Sequence, residues 1–240
     1  MDFCNRLDYD FSELEKSKNN VFYEFGALEA AMRQLAMKWE IRDYLKTHPN
    51  ASVVNLGCGL DQTGKSIENG TCKIYNIDFP DIIEIRNKFL KAGERELDIS
   101  GDLKDKTWMD KIDGENGVIF FSAGVFHYFQ IQEVKDLILE MARRFPKSRL
   151  IFDTVGKFGL NLMKRTLKNM GIDDVKGLFY VDNIETLEDW SSGIKVSERG
   201  YMLGYYDLKE YNIPWVYRFL GKIGDEIFGM KIIRMEFSKA

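Results

Sequence analysis

Two glycines stand one residue apart, directly after a β-branched run, in "SVVNLGCGLDQTGKS", residues 52–66. Gly57 and Gly59 can take backbone conformations closed to other residues, so a ligand can approach the main chain there. Three chemistries compete for such a turn. "GLDQTGKS" has the spacing of a phosphate-gripping loop, Gly59 to Gly64 followed by Lys65 and Ser66. "LIFD" at 150–153 is a partial match to the strand that would hold its magnesium. Against a polyphosphate, Asp61 would lie inside a loop whose amides must face an anion. A dinucleotide fold asks for a third glycine, and here that position is Gln62. S-adenosylmethionine (SAM) carries no phosphate. It needs a close turn for its methionine part and an acid at the end of the second strand for its ribose hydroxyls. Asp78 of "YNIDFP" is placed for that, about 20 residues past the turn, although an acid there serves NAD equally well. The missing glycine favours SAM.

Such a turn needs a sheet to carry it. "SVVNL" (52–56), "CKIYNID" (72–78), "ERELDI" (94–99), "GVIFFSA" (117–123) and "SRLIFDTV" (148–155) read as strands. Between them lie a helix at 80–92 with Pro80 in its first turn, a short helix in "KTWMDKI", and an amphipathic helix at 130–145. The last of these puts Val134, Leu137, Ile138 and Met141 on one face. Strands and helices alternating at this spacing predict a doubly wound, mostly parallel α/β sheet with right-handed crossovers. Ligands in such sheets sit beyond the carboxyl ends of the strands. Ahead of the sheet, Leu28, Met32, Leu35, Met37, Ile41 and Leu45 recur at helical spacing until His48-Pro49-Asn50 breaks the pattern. Two late strands, 194–203 and 226–237, are expected to add an antiparallel edge. The aromatic-rich piece between them reads as a cover over the rim. The whole is expected to be one domain: a helical cap (1–50), a binding core (51–155) and an acceptor-side cover with the last strands (156–240).

Composition narrows the function classes. The chain has 240 residues, 45% of them hydrophobic, enough for a sizeable core. A net charge of -4 with scattered cations argues against nucleic acid. Cys4, Cys58 and Cys72 form no Cys-x-x-Cys pair, which argues against a disulfide framework or a metal site and for a reducing, cytoplasmic setting. The acidic start is unlike a signal peptide, and "VIFFSAGVF" is about half the ~20 residues a membrane span needs. Cys58 reads as a small buried residue. His127 on the rim is a candidate general base or packing residue, and Tyr128 beside it a candidate base or pocket wall. Tyr201, Tyr205, Tyr206, Tyr211, Trp215 and Tyr217 could be core or could line an acceptor pocket.

Several motifs in order carry a family resemblance: "RLDYDFSEL", "ASVVNLGCGLD", "IDFPDIIEIRNKF", "GDLKDKTWMDKI", "AGVFHYF", "LIFDTV" and "LEDWSSGIKVSE". Together they resemble the leucine carboxyl methyltransferase family, in its bacterial polyketide-type O-methyltransferase branch. The resemblance implies a seven-stranded, Rossmann-like class I methyltransferase with an antiparallel last hairpin. It uses SAM as cofactor and leaves S-adenosylhomocysteine (SAH). Carried over by position, Gly57, Cys58 and Gly59 lie under the methionine part, and Asp78 binds the ribose with Phe79 next to it. Asp102 and Leu103 flank the adenine, Arg33 pairs with the SAM carboxylate, and Ala123 ends the fourth strand beside the cofactor. The chain departs from the pattern twice. Gln62-Thr63-Gly64 stands where an arginine usually follows the turn, and Ala123 stands where a glutamate usually precedes Gly124. The implied activity is methyl transfer to a carboxylate or hydroxyl of a small molecule. A SAM-binding protein without catalysis and an NAD-dependent oxidoreductase are the alternatives.

Overall fold

The computed structural model describes residues 21–169 and 179–238. "RLDYDFSEL", Cys4 and the first 20 residues of the expected cap lie outside them. Among the described residues seven strands form one sheet: β1 (Ser52–Leu56), β2 (Lys73–Asp78), β3 (Glu96–Ser100), β4 (Val118–Ser122), β5 (Arg149–Thr154), β6 (Ile194–Gly200) and β7 (Lys231–Phe237). Their order is β3-β2-β1-β4-β5-β7-β6. Only β7 runs against its neighbours. Chain order reverses between β1 and β4, which makes the carboxyl end of β1 the crevice where such sheets take ligands. The apolar runs of β1 and β4 are buried at every residue, as strands covered on both faces must be.

Alternate residues serve the two faces. Val54, Leu56, Phe120 and Phe152 pack with Val134, Leu137, Ile138 and Met141 of α4 (Ile131–Arg144). Val53, Ile119, Phe121 and Ile151 pack with Met32, Met37, Ile41 and Leu45 of α1 (Val21–Thr47). Each such buried side chain contributes about 1.5–3 kcal/mol. The remaining helices are α2 (Thr63–Ile67), α3 (Pro80–Phe89), α5 (Lys157–Asn169), α6 (Glu185–Glu188) and α7 (Trp215–Glu226).

Several sequence expectations shift. Leu35 does not join the buried face of α1 and is 40% exposed; Ala36 and Glu40 are buried there instead. Glu40 is tolerated because Tyr205 donates to it at 2.6 Å and Arg234 at 2.8 Å. "KTWMDKI" yields a 3-10 turn, Thr107–Lys111. β6 ends at Gly200, short of 203, because the Asp225 carboxylate accepts the N–H groups of Met202 and Leu203 at 3.0 and 2.9 Å. β7 begins at Lys231, not 226, since α7 runs to Glu226 and Gly229 then turns the chain at φ +64. The aromatic segment between these strands makes its polar contacts with α1. Tyr201 donates to Glu29 at 2.9 Å, Tyr206 to the Leu35 carbonyl at 3.5 Å, and Tyr217 to Glu24. Tyr201 is buried, whereas Tyr211 and Trp215 stand 60% and 71% exposed.

Candidate cofactor site

The glycine turn leaves β1 with Gly57 at φ +68 and Gly59 at φ +48, both in the left-handed region that favours glycine. The two positions differ in what surrounds them. A Cβ on Gly57 would meet Val125 Cγ2 at 2.6 Å, so that glycine serves packing. A Cβ on Gly59 would meet nothing within 4 Å, so there the backbone faces open space. Cys58 is buried, its N–H donates to the Ile77 carbonyl at 3.0 Å, and burial pushes its thiol up to about 12. That is a packing residue's environment and no nucleophile's.

The amides of Gly57, Cys58, Gly59, Asp61 and Thr63 donate to the chain's own acceptors. Gly57 N–H donates to the Ile77 carbonyl at 2.9 Å, and Gly59 N–H to Asp78 Oδ2 at 2.7 Å. Thr63 N–H, at the start of α2, donates to Asp61 Oδ1 at 3.0 Å. Asp61 also takes the Thr63 hydroxyl at 2.9 Å and the Gln34 amide at 3.0 Å. Gly64 packs against Ile74, and Lys65 is exposed. The spacing of a phosphate loop is present in the sequence, but its Gly59 and Thr63 amides face carboxylates, Asp78 and Asp61, and a diphosphate would meet both. "LIFD" likewise supplies no free acid for a magnesium ion, because Asp153 is occupied elsewhere. Among the described residues, no group of three His, Cys, Asp or Glu side chains could hold a metal ion.

The remaining positions fall along one rim. Asp78 ends β2 half-buried, with its Oδ1 accepting the Phe79 N–H at 2.8 Å, and Phe79 is 51% exposed beside it. Gly101 N–H donates to the Asp78 carbonyl at 2.9 Å, which ties the end of β3 to the end of β2. Asp102 follows, half-buried, accepting from Lys104 N–H at 2.9 Å. Leu103 is buried among Ile99, Trp108 and Phe126 of the core. Of the other acids in that stretch, Asp98 has its side chain buried under Arg86 and Asn76, and Asp105 is exposed.

Arg33, Gly124 and His127 meet at the far end of the rim, around an acid that sequence reasoning missed as a site residue. Asp153, at the end of β5, accepts Arg33 Nη1 at 3.0 Å and the Gly124 N–H at 2.6 Å. His127 Nε2 lies 3.5 Å away. Burial would push the Asp153 carboxyl up; His127, Arg33 and the Gly124 N–H outweigh it and hold it at about 2. Arg33 keeps 30% of its side chain exposed and Ala123 is half-buried. His127 is only 5% exposed and turns its Nε2 inward to Asp153, while Tyr128 is 56% exposed. In the sequence Asp153 stands only within "LIFD", the partial match to a magnesium-binding strand, and within the family motif "LIFDTV", neither of which gives it a role beside Arg33.

The strand order with an antiparallel penultimate position is that of the Rossmann-like class I methyltransferase fold. The chain belongs to the leucine carboxyl methyltransferase family, whose model matches residues 8–142, and it is a SAM-dependent methyltransferase. It is 25% identical over 206 residues to the tetracenomycin polyketide synthesis O-methyltransferase TcmP of Streptomyces glaucescens, covering 84% of this chain and 73% of that protein. In fold it resembles the plantazolicin methyltransferase BamL, solved with a triazolic desmethylPZN analog and SAH. That likeness has a TM-score of 0.60 at 14% identity, over 95% of this chain and 93% of that one. A DUF574 family protein from Streptomyces avermitilis gives a TM-score of 0.62 at 10% identity, over 87% and 83%. Among the described residues no helix is long and apolar enough to cross a membrane.

Proposed function

We propose that the protein is an O-methyltransferase acting on a carboxylate or hydroxyl of a small molecule, with its cofactor seated along the rim from Asp102 to Arg33. The observation that carries this reading is the turn itself, open above Gly59 and lined by carboxylates that repel a diphosphate. Bound SAM supplies an activated methyl group on a sulfonium.

In this reading the left-handed turn of Gly57 and Gly59 passes under the methionine part, with Gly57 packed on Val125 and Gly59 leaving the room for it. The exposed lone pairs of Asp78 accept ribose hydroxyls, and Phe79 lies against the neighbouring ring. Asp102 accepts from the adenine amine, with Leu103 as apolar backing. Arg33 offers its outward N–H groups to a carboxylate, the geometry for which a guanidinium fork is suited. Asp153 holds that fork in place. A carboxylate acceptor is already anionic and needs no base, so alignment and exclusion of water do most of the work. His127, buried and facing Asp153, positions rather than transfers protons; Tyr128 is left as a pocket wall. The segments 1–50 and 156–240 then serve as cap and acceptor-side cover of one domain.

The polyketide-synthesis relative supports an oxygen acceptor of this kind. The test is SAH release from SAM with a panel of small carboxylates and phenols. Turnover on either class upholds the reading; SAM binding without SAH release from any acceptor would favour a binding protein.

A further inference from the structure

α3 carries a side chain that the site as described does not use. Arg86 is 2% exposed, although nothing in the turn-and-acid pattern singled it out. Its guanidinium is engaged on every side. Nε meets Asp98 at 3.3 Å and Nη2 meets Glu96 at 3.1 Å, both carboxylates from β3. Nη1 donates to two carbonyls of the glycine turn, Gly59 at 3.1 Å and Asp61 at 2.7 Å. Asn76 of β2 closes the knot by donating to Glu96 at 2.7 Å and Asp98 at 2.8 Å. The side chains of Arg86, Glu96 and Asp98 are 3%, 5% and 6% exposed, so water does not compete for these contacts.

Gly59 is therefore gripped from two sides, its N–H by Asp78 and its carbonyl by Arg86. A glycine at φ +48 with open space around it has many other conformations available, and only such contacts select one. We propose that Arg86 is a positioning residue for the cofactor turn. It reaches the turn from below, touches no ligand, and holds the backbone of Gly59–Asp61 in the arrangement the cofactor needs. It also joins that turn rigidly to β3, whose end carries Asp102, so the two halves of the rim keep one spacing. This inference rests on the seating of SAM given above.

Lysine at this position keeps the charge for Glu96 and Asp98 but cannot present a fork to four acceptors at once. Arg86→Lys should leave the turn sampling several conformations. If about 1–10% of molecules stay competent, the SAM dissociation constant rises about 10–100-fold. Titration calorimetry reads that change, and hydrogen exchange should quicken across residues 57–64. Glu96→Gln weakens the same knot without removing a contact to the turn. It should lower the unfolding temperature while keeping SAM affinity within about threefold, since the competent fraction is unchanged. Unchanged SAM affinity and exchange in Arg86→Lys would overturn the proposal. So would an equal loss of affinity in Glu96→Gln at the same loss of stability, because the role would then be structural only. Should Arg86→Lys not fold, the triple change Arg86→Gln, Glu96→Gln, Asp98→Asn removes the buried charges together, and the same loss of SAM affinity is expected of it. If the wild-type protein bound no SAM, the seating would fall while exchange at 57–64 still judged the clasp: faster in Arg86→Lys upholds it, unchanged overturns it.

Discussion

The two ends of the rim are built in opposite ways. At the β1–β2 end, the turn, Asp78 and Phe79 lie within about 25 residues of one another, in keeping with the spacing such motifs show. There Asp78 stays half-open after satisfying the N–H groups of Gly59 and Phe79. At the β4–β5 end, Arg33 comes from α1 and Asp153 from β5, 120 residues away. There Asp153 is fully buried and engaged by Arg33 and the Gly124 N–H, with His127 close by. Two aspartates at strand ends on one rim thus do different work. The open one has capacity left for a ligand, and the buried one holds protein groups in place.

Substitutions should separate these roles. The largest effect is expected of Asp153→Ala, which strands Arg33 without its buried partner and should cost about 3–5 kcal/mol, toward the lower end because Arg33 can turn to water. Urea unfolding measures it. The same carboxyl gives an acid signature. Its folded value of about 2 lies below the unfolded value near 3.9, so its contribution is present above about pH 4 and fades as pH falls toward 2. Asp153→Asn should flatten that acid limb relative to wild type.

The paired glycines come next. Gly57→Ala combines a left-handed φ with a clash against Val125 and should cost about 2–4 kcal/mol of stability. Gly59→Ala has the strained φ without the clash, so about 1–2 kcal/mol is expected, with a disproportionate loss of SAM affinity as the methyl fills the cradle. Equal behaviour of the two variants in a combined unfolding and calorimetry series would break the distinction drawn between them. Asp78→Ala should weaken SAM by about 1–3 kcal/mol, the cost of unpaired hydroxyls, while Asp153 and Arg33 stay as they are. Smallest of all, Trp215→Ala removes a side chain that is 71% exposed and should change stability by less than about 0.5 kcal/mol.

What could be read from the chain follows the same division. β1, β2 and the turn were legible because their signals are local: a β-branched run, two glycines, an acid at the next strand's end. α4 was legible because its buried face repeats at helical spacing. Asp153, Arg86 and Glu40 were not, because a buried carboxylate or guanidinium looks in sequence like any solvated charge. Only the fold supplies the partners that let it be buried. The ends of β6 and β7 were misplaced for a related reason. Both are set by contacts of Asp225 and the turn at Gly229, not by the residues of the strands themselves. Leu35 shows the converse: an apolar residue near the right spacing that the register of α1 leaves on the outside.

In the proposed reading this rim takes an adenosyl sulfonium and rejects a dinucleotide. Titration calorimetry of the 240-residue chain with SAM, and separately with NAD, decides between the two. One SAM per chain is expected, weakened in Asp78→Ala, with no heat from NAD. Saturable NAD binding with none for SAM would contradict it.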